Sequence, residues 1–142
     1  MSEKVQVIIF SKVRNSLEVL RLQTNNQRGA FWQNITGGVE PEDNSLLKAA
    51  QREVKEETGI EITPVDKIKS INFFFDYHNQ SRGITYKEHV FYTLLTNKPT
   101  VRISGEHQGY CWKNVNDIIK SDFKFESNHI GFCEALKEVN AL

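Results

Sequence analysis

Three glutamates near the middle of the chain, Glu53, Glu56 and Glu57, have the spacing of a metal site. Residues three and four apart share one face of an α-helix, so the three carboxylates are expected to point the same way. Like charges on one face repel each other, and a bound divalent cation removes that cost. Hard oxygen ligands grouped in this way suit magnesium or manganese. The alternative is a solvated helix face whose charge is neutralised by neighbouring lysines and an arginine.

A helix with clear start and stop signals is predicted to carry these glutamates. Residues 43–45 offer N-cap side chains and Gly59 supplies the C-terminal stop, so the helix is expected from about Ser45 to Thr58. An apolar stripe recurs every four residues along it: Leu46, Ala50 and Val54. The stripe should pack against the rest of the fold while the glutamates face elsewhere.

Strand patterns flank this helix on both sides in the sequence. The predicted strands are Val5–Phe10, Leu17–Leu22, Phe31–Thr36, Lys69–Tyr77, Tyr86–Thr96 and Tyr110–Trp112. Residues 12–16 are expected to form a turn, 24–29 a loop, 115–120 a helical turn and 128–139 a final helix with an apolar stripe that includes Ile130. The fold class is therefore predicted as α/β, one domain over residues 1–142, with a mixed sheet covered by helices on both faces.

Composition excludes several classes of function. Lysine plus arginine equals aspartate plus glutamate, 18 of each, so there is no global attraction to a nucleic-acid polymer or a membrane surface. The chain has no apolar run of membrane-spanning length and no signal-peptide pattern at its start. Cys111 and Cys133 form neither a CxxC pair nor a disulfide framework, so two reduced thiols in a cytoplasmic protein are expected.

The segment from Gly38 to Ile60 closely resembles the Nudix box, G-x5-E-x7-R-E-U-x-E-E-x-G-U, in which U is a bulky aliphatic residue. The matching positions, all at the required spacing, are Gly38, Arg52, Glu53, Val54, Glu56, Glu57, Gly59 and Ile60. A match at so many fixed positions is far more specific than a lone glycine motif. The paired strands before the box and the Trp112 segment after it also resemble the family, so the resemblance covers most of the chain and implies a Nudix-type α/β/α sandwich.

One position of the box departs from the pattern. Asn44 stands where the family has a glutamate that supports the corner between loop and helix and the charge pattern around the metals. Asn44 can cap the helix but brings no charge. Asp43 or Glu42 is the candidate to compensate. The departure bears on the number of metals and on the rate rather than on the type of reaction.

The resemblance implies magnesium-dependent hydrolysis of a diphosphate linkage, with manganese as a substitute. Glu53, Glu56, Glu57 and the backbone carbonyl of Gly37 would hold the metal. Arg52 would orient a neighbouring glutamate rather than touch the substrate.

A general base is also required. Glu53 is one candidate and Glu106 is the other, because many members of the family carry a late catalytic or metal-binding acid in the loop before the Tyr110–Trp112 strand. The alternative for Glu106 is an exposed loop carboxylate. His107 beside it is expected to be a loop residue, since magnesium prefers oxygen ligands.

The substrate branch is indicated by two short segments. Residues 31–37 and 52–57 look most like the dihydroneopterin triphosphate diphosphatase branch, whose members release pyrophosphate from that folate precursor and also attack nucleoside triphosphates. Trp32 is expected to stack on a pterin or base ring near the phosphates, with a core position as the alternative, and Phe31 is expected to lie in the core. Arg21 is a candidate phosphate contact.

Other interpretations of the substrate and of the activity stay open. The spacing of Tyr77 is seen in the dinucleoside polyphosphate branch, although Tyr77 also continues the alternation of its strand. A nucleotide-sugar or ADP-ribose hydrolase is a further alternative, as is a non-catalytic domain that only binds a nucleotide. The retained carboxylates favour an enzyme. The partner expected is a small phosphorylated substrate, and a homodimer is compatible with the sequence.

Overall fold

A mixed seven-stranded sheet forms the centre of the computed structural model, which describes residues 2–142. The strands are β1 (Ser2–Val13), β2 (Ser16–Thr24), β3 (Trp32–Gln33), β4 (Ile35–Gly38), β5 (Lys69–Asn79), β6 (Ile84–Leu95) and β7 (His107–Asn114). Within the described residues the α-helices are α1 (Leu46–Thr58) and α2 (Glu126–Asn140). None of the helices in residues 2–142 is both long enough and apolar enough to cross a membrane.

Strand β1 organises the sheet because its middle is apolar on both faces and buried throughout. It pairs antiparallel with β2 along its C-terminal half and antiparallel with β4 along its N-terminal half. On its other side β1 pairs in parallel with β6, which in turn pairs antiparallel with β5. Strand β7 pairs antiparallel with β2. Strand β6 is therefore an inner strand, paired on both of its edges.

Alternate residues of β1 belong to two separate cores. Val5 and Val7 pack on the side of α1 with Val54, and Ile8 packs on the side of α2 with Phe132. Successive side chains of a strand point to opposite faces, so one strand supplies both layers. The α/β/α sandwich predicted from the sequence is confirmed.

At the start of α1, one of the three residues predicted as caps forms the N-cap hydrogen bond. The Ser45 hydroxyl accepts a hydrogen bond from the Lys48 amide at 3.1 Å, which makes Ser45 the N-cap. Asn44 does not cap α1: its φ of 64° places it in the left-handed region at the end of the 3₁₀-helix Pro41–Asp43. Gly59 ends α1 at a φ of 75°, as its position predicted.

Three element predictions need correction. The turn predicted at 12–16 is mostly strand, because β1 and β2 pair as far as Val13 and Ser16. The strand predicted over 31–36 is broken at Asn34 into β3 and β4, which pair with different neighbours. Helix α2 begins two residues earlier than expected, and Ile130, assigned to its buried stripe, is 42% exposed. A strict three-residue spacing drifts around a helix of 3.6 residues per turn, so the first member faces solvent.

Candidate active site

The predicted metal-binding residues meet where α1 crosses the end of β4. Glu53 and Glu57 are buried, with 7% and 5% of their surface exposed, whereas Glu56 is exposed. The carboxylate of Glu53 lies directly against Gly37: a Cβ added at Gly37 would lie 2.0 Å from Cδ of Glu53. Only a glycine at position 37 lets the backbone approach the carboxylate this closely.

Arg52 binds the acids around it through all of its guanidinium nitrogens. Its Nε and Nη2 donate to the two oxygens of Asp43 at 2.8 and 2.9 Å. Nη1 donates to Glu53 at 2.8 Å and to Glu56 at 3.1 Å, and Nη2 also donates to the Gly38 carbonyl at 2.8 Å. These bonds raise the pKa of Arg52, so it is a permanent cation. Arg52 thus contacts both Glu53 and Glu56, and its role in positioning them stays a prediction.

Asp43 supplies the carboxylate that Asn44 lacks. Asp43 is buried, receives the paired bonds from Arg52 and accepts a hydrogen bond from the Glu40 amide at 2.7 Å. The bond from Arg52 is the main reason that the pKa of Asp43 lies below its ordinary value. Asn44 and Glu42 are both exposed. Of the two acids proposed to compensate, Asp43 is therefore the one that contacts the arginine.

The surroundings of Glu53 raise the pKa of its carboxyl group. Burial raises its pKa to about 7, while the bond from Arg52 opposes the shift and the charges of Glu56 and Glu57 add to it. A carboxyl group with a pKa near neutrality has the property required of a general base, and it also gains from a nearby cation.

Glu57 lies beside a second acid, Glu106. Burial alone would raise its pKa, but donors from His107, Glu106 and Ser104 outweigh that effect, so the pKa of Glu57 lies below its ordinary value. The hydroxyl of Ser104 donates to Glu57 at 3.1 Å. Glu106 faces the same carboxylate, and this contact is the first reason that its own pKa is raised. The contact between the two carboxyl groups therefore shifts their pKa values in opposite directions, that of Glu57 down and that of Glu106 up.

His107 was expected to be a loop residue, and that expectation is wrong. It is the first residue of β7 and is buried, with Nδ1 2.9 Å from a Glu57 oxygen, although off the direction of a good hydrogen bond. Its Nε2 lies 3.1 Å from the amide nitrogen of Gln33. Nothing in the local sequence distinguishes this histidine from a loop residue, because its partners are distant in the chain.

A cleft of about 500 Å³ opens on the α2 side of the sheet. Its volume is in the range of small-molecule sites. Three aromatic rings contribute to its wall: Phe125 meets Phe31 and Tyr77 edge to face, with ring centroids 6.4 and 6.2 Å apart. The ammonium of Lys124 lies 4.4 Å from the Phe31 ring centroid.

The floor of this cleft is a polar network. Gln6 donates to Glu88 at 2.7 Å and to Asn128 at 3.0 Å, and it accepts from the Asn34 amide at 3.0 Å. Glu88 is 6% exposed, and its pKa is raised, chiefly by burial. Thr36 also lines the cleft and directly precedes Gly37, so the residue at the cleft and the residue against Glu53 are consecutive on β4.

The predicted substrate contacts do not all come together. Tyr77 lines the cleft, whereas Arg21 and Trp32 line a separate depression on the other side of Phe31. Arg21 is 2% exposed and donates to the carbonyls of Trp32 and Asp122, both at 3.1 Å. Its burial contradicts the expectation that it meets phosphates. Phe31, assigned to the core, is instead part of the aromatic wall of the cleft.

The donor set fits a divalent metal in its chemistry. Among residues 2–142 no three His, Cys, Asp or Glu side chains converge on one point. Two buried carboxylates, a third on the same helix face and a backbone carbonyl at Gly37 nevertheless provide the hard oxygen ligands that magnesium requires. The close approach of Gly37 to Glu53 gives that backbone access to the carboxylate cluster.

Acids of perturbed pKa beside a cleft of small-molecule size mark this region of the α/β/α sandwich as a candidate enzyme active site. Comparison with known proteins identifies the class of enzyme: the family model described as NUDIX domain matches residues 3–136. The chain belongs to the NUDIX family and is a hydrolase of diphosphate bonds. Hydrolases of this family generally use divalent metal ions.

Relatives within the family have different named substrates. The chain is 29% identical over 116 residues to the dihydroneopterin triphosphate diphosphatase of Escherichia coli, covering 76% of each chain. It is 32% identical over 113 residues to the asymmetrical bis(5'-nucleosyl)-tetraphosphatase of Mus musculus, covering 77% of this chain and 73% of the relative. The structure of a Caenorhabditis elegans Ap4A hydrolase complex superposes with a TM-score of 0.75 at 24% identity, over 97% of this chain and 99% of the other. That superposition establishes the shared fold.

Proposed function

We propose that the chain releases pyrophosphate from a triphosphate that carries a pterin or purine-like ring, with dihydroneopterin triphosphate ahead of ordinary nucleoside triphosphates. The observation that carries the proposal is the junction at Thr36-Gly37. Thr36 lines the aromatic cleft and Gly37 packs on Glu53, so a ring in the cleft would present its phosphates to the carboxylates. The name of the Escherichia coli relative supports the same substrate class.

Magnesium, with manganese as a substitute, would be held by Glu53, Glu56, Glu57 and the Gly37 carbonyl. When bound, it would neutralise charge on the phosphates and lower the pKa of the attacking water. Arg52 positions Glu53 and Glu56 through its bonds to both.

Glu106 is the first candidate for the general base, and Glu53 is the second. Glu106 is exposed, lies beside Glu57 and can accept a proton from a water molecule at the edge of the cluster. Glu53 has a pKa near neutrality but is buried and already bonded to Arg52. Exposure to solvent therefore favours Glu106.

Hydrolysis of a dinucleoside polyphosphate is the second candidate function. Tyr77 lines the cleft and its ring lies 6.2 Å from that of Tyr86, so a second aromatic surface adjoins the first. The name of the mouse relative supports this substrate class. Hydrolysis of ADP-ribose or a nucleotide sugar has no feature of the described cleft in its favour.

We further propose that residues 1–142 form one domain and that the protein acts in the cytoplasm. Cys111 and Cys133 are both free thiols, which agrees with a reducing compartment. A homodimer stays a prediction from the sequence.

A substrate panel with and without magnesium tests the reaction. Dihydroneopterin triphosphate, GTP, ATP, diadenosine tetraphosphate and ADP-ribose would be compared by kcat/KM, and the products identified. We expect pyrophosphate as the inorganic product and loss of turnover in the presence of a chelator. If diadenosine tetraphosphate or ADP-ribose exceeds every triphosphate tenfold or more, the substrate assignment is wrong while the family assignment stands.

The Glu57→Gln variant tests the metal site in the same assay. We expect kcat to fall by roughly 10² or more, because loss of one carboxylate ligand weakens both metal binding and the contact with Glu106. Glu42→Gln is the matched control, since Glu42 is exposed and lies close in sequence but outside the cluster. Undiminished turnover of Glu57→Gln, or of the wild type in chelator, contradicts the mechanism.

A further inference from the structure

The floor of the cleft holds hydrogen-bond acceptors that the protein does not use. Asn34 is 4% exposed, and its Oδ1 has no hydrogen-bond partner in residues 2–142, while its Nδ2 donates to Gln6. The Thr36 hydroxyl in the same cleft is also buried without a partner of good geometry in this part of the chain. Buried polar atoms are almost always satisfied, so unused acceptors on a cleft floor indicate a ligand that donates to them.

Glu88 adds a buried carboxylate to this floor. Within residues 2–142 it accepts a hydrogen bond from Gln6, interacts with the Thr36 hydroxyl and is attracted by Lys4, but it forms no ion pair. A carboxylate oxygen can accept more than one hydrogen bond, so the bond from Gln6 leaves capacity on both oxygens. A buried, incompletely bonded carboxylate is costly to a fold and is best matched by two adjacent N–H donors.

Asn128 supplies a hydrogen-bond donor to the floor of the cleft. Asn128 uses its Oδ1 to accept from Gln6, which leaves its amide NH₂ to donate to a ligand oxygen. Asn128 lies in the first turn of α2, on the opposite wall from Asn34 on the β3–β4 segment. The floor therefore combines acceptors at Glu88 and Asn34 with a donor at Asn128.

We propose that Glu88 and Asn34 determine specificity for a ring with a 2-amino-4-oxo edge, the edge shared by guanine and pterins. That edge presents an exocyclic amino group and an adjacent ring N–H as donors, with a carbonyl oxygen beside them. The donors match the carboxylate and the free Oδ1, and the carbonyl matches the Asn128 amide. This inference rests on the proposed function of the cleft as the ring site and narrows the substrate class within it.

Adenine is rejected by the same arrangement. Its corresponding ring nitrogen is an acceptor and would face the carboxylate with a lone pair, so no bond forms and both groups lose water. A site built around hydrogen bonds discriminates strongly against an analogue that lacks the donors. The aromatic wall contributes to binding of either ring and does not discriminate between them.

Nucleoside binding without metal or phosphate tests the inference independently of catalysis. Guanosine, inosine, adenosine and neopterin would be titrated into the whole protein by calorimetry. Inosine is the sharpest probe because it differs from guanosine only by lacking the 2-amino group. A hydrogen bond to a charged group corresponds to about a 10- to 100-fold change in Kd, so guanosine should bind at least about tenfold more tightly than inosine.

The Glu88→Gln variant should reduce the guanosine-to-inosine ratio to within about threefold. Glu138→Gln is the matched control: Glu138 is exposed near the end of α2 and does not line the cleft, so its substitution removes the same charge without changing the floor. The ratio should persist in Glu138→Gln. If Glu88→Gln does not fold, the wild-type ratio alone decides, and equal affinities for guanosine and inosine overturn the inference.

Different results would overturn the proposed specificity role and the proposed function. Turnover of triphosphates with equal binding of guanosine, inosine and adenosine overturns the specificity role and leaves the proposed function standing. A strong guanosine and neopterin preference that depends on Glu88, together with no cleavage of any triphosphate, supports the specificity role and overturns the proposed function.

Discussion

The two faces of the sheet carry acidic groups in opposite states. On the α1 face, Asp43, Glu53 and Glu56 all accept hydrogen bonds from Arg52. On the α2 face, Glu88 is buried without an ion pair in the described chain, and a neighbouring amide oxygen has no partner. The catalytic face is therefore held in position by the protein itself. The cleft face is completed only when a ligand supplies donors.

The buried Glu88 on the α2 face should lower the stability of the fold, whereas the arginine-bonded acids on the α1 face should not. A carboxylate with an arginine partner contributes to folding or is neutral, whereas a buried carboxylate without one opposes folding. A protein retains such a group when it has a use in binding. The variants below separate the two faces by asking whether a substitution changes rate, affinity or stability.

The largest effect is expected on the catalytic face. Glu106→Gln should lower kcat by about 10²–10⁴ with KM little changed, because loss of a general base affects the chemical step rather than binding. Initial rates across substrate concentrations give both constants. Glu126→Gln is the control, an exposed glutamate at the start of α2. Wild-type kinetics for Glu106→Gln would make Glu53 the base.

A smaller effect on affinity is expected in the cleft. Phe31→Ala should raise KM for ring-bearing triphosphates by roughly 5- to 100-fold, which corresponds to about 1–3 kcal/mol of stacking. Trp32→Ala should change KM less, since Trp32 lines the depression beside Arg21. Steady-state kinetics on both variants with the same triphosphate measure the difference. A larger effect for Trp32→Ala would restore its original assignment to the ring site.

A stability change without a change in mechanism is expected at the start of α1. Ser45→Ala should cost about 1 kcal/mol because the N-cap bond to the Lys48 amide is lost. Asn44→Gly should preserve stability, since glycine adopts the left-handed conformation of this position without strain. Urea denaturation of both variants measures the difference. Equal losses would mean that Asn44 takes part in capping.

The smallest effect is expected to be a pH-dependent gain in the stability of the Glu88→Gln variant. The folded state holds the pKa of Glu88 above its ordinary value of 4.5, so it binds the proton more tightly than the unfolded chain. The stability that this proton provides is present below pH 4.5 and is lost as pH rises through the raised pKa. Glu88→Gln should therefore melt higher than wild type at pH 8, by ~2–4 °C for each kcal/mol regained, and equally at pH 4.

Four groups act on Glu88 from the elements around it. They are Lys4 and Gln6 of β1, Thr36 of β4 and Asn128 of α2, the last through Gln6. Melting curves at several pH values measure the effect. A lower melting temperature for Glu88→Gln at pH 8 would show that the carboxylate stabilises the fold.

The fold and the carboxylate cluster on α1 were predictable because their signals are local. The cap and stop of α1 and the i,i+3 and i,i+4 spacing of its glutamates lie within one short segment. The alternation within β5 likewise placed Tyr77 on the face that lines the cleft. Local periodicity is a direct consequence of helix and strand geometry, so it can be read without knowing the tertiary structure.

The cleft was not predictable because its residues come from separate elements. Gln6, Asn34, Glu88 and Asn128 meet only after β1 pairs with β4 and β6 and α2 packs across them. None has a spacing that marks it. Asn34 falls at the break between β3 and β4, which the sequence presented as one continuous strand. His107 was missed for the same reason, since Glu57 and Gln33 lie 50 and 74 residues away.

The two glycines at the end of β4 should differ in what a mutational library tolerates. Any side chain at Gly37 would overlap the Glu53 carboxylate, whereas a Cβ at Gly38 meets nothing within 4 Å. The Gly38 carbonyl that accepts from Arg52 would be unaffected by alanine. Among active variants recovered from random codons at both positions, position 37 should return only glycine, while position 38 should admit alanine and serine beside it.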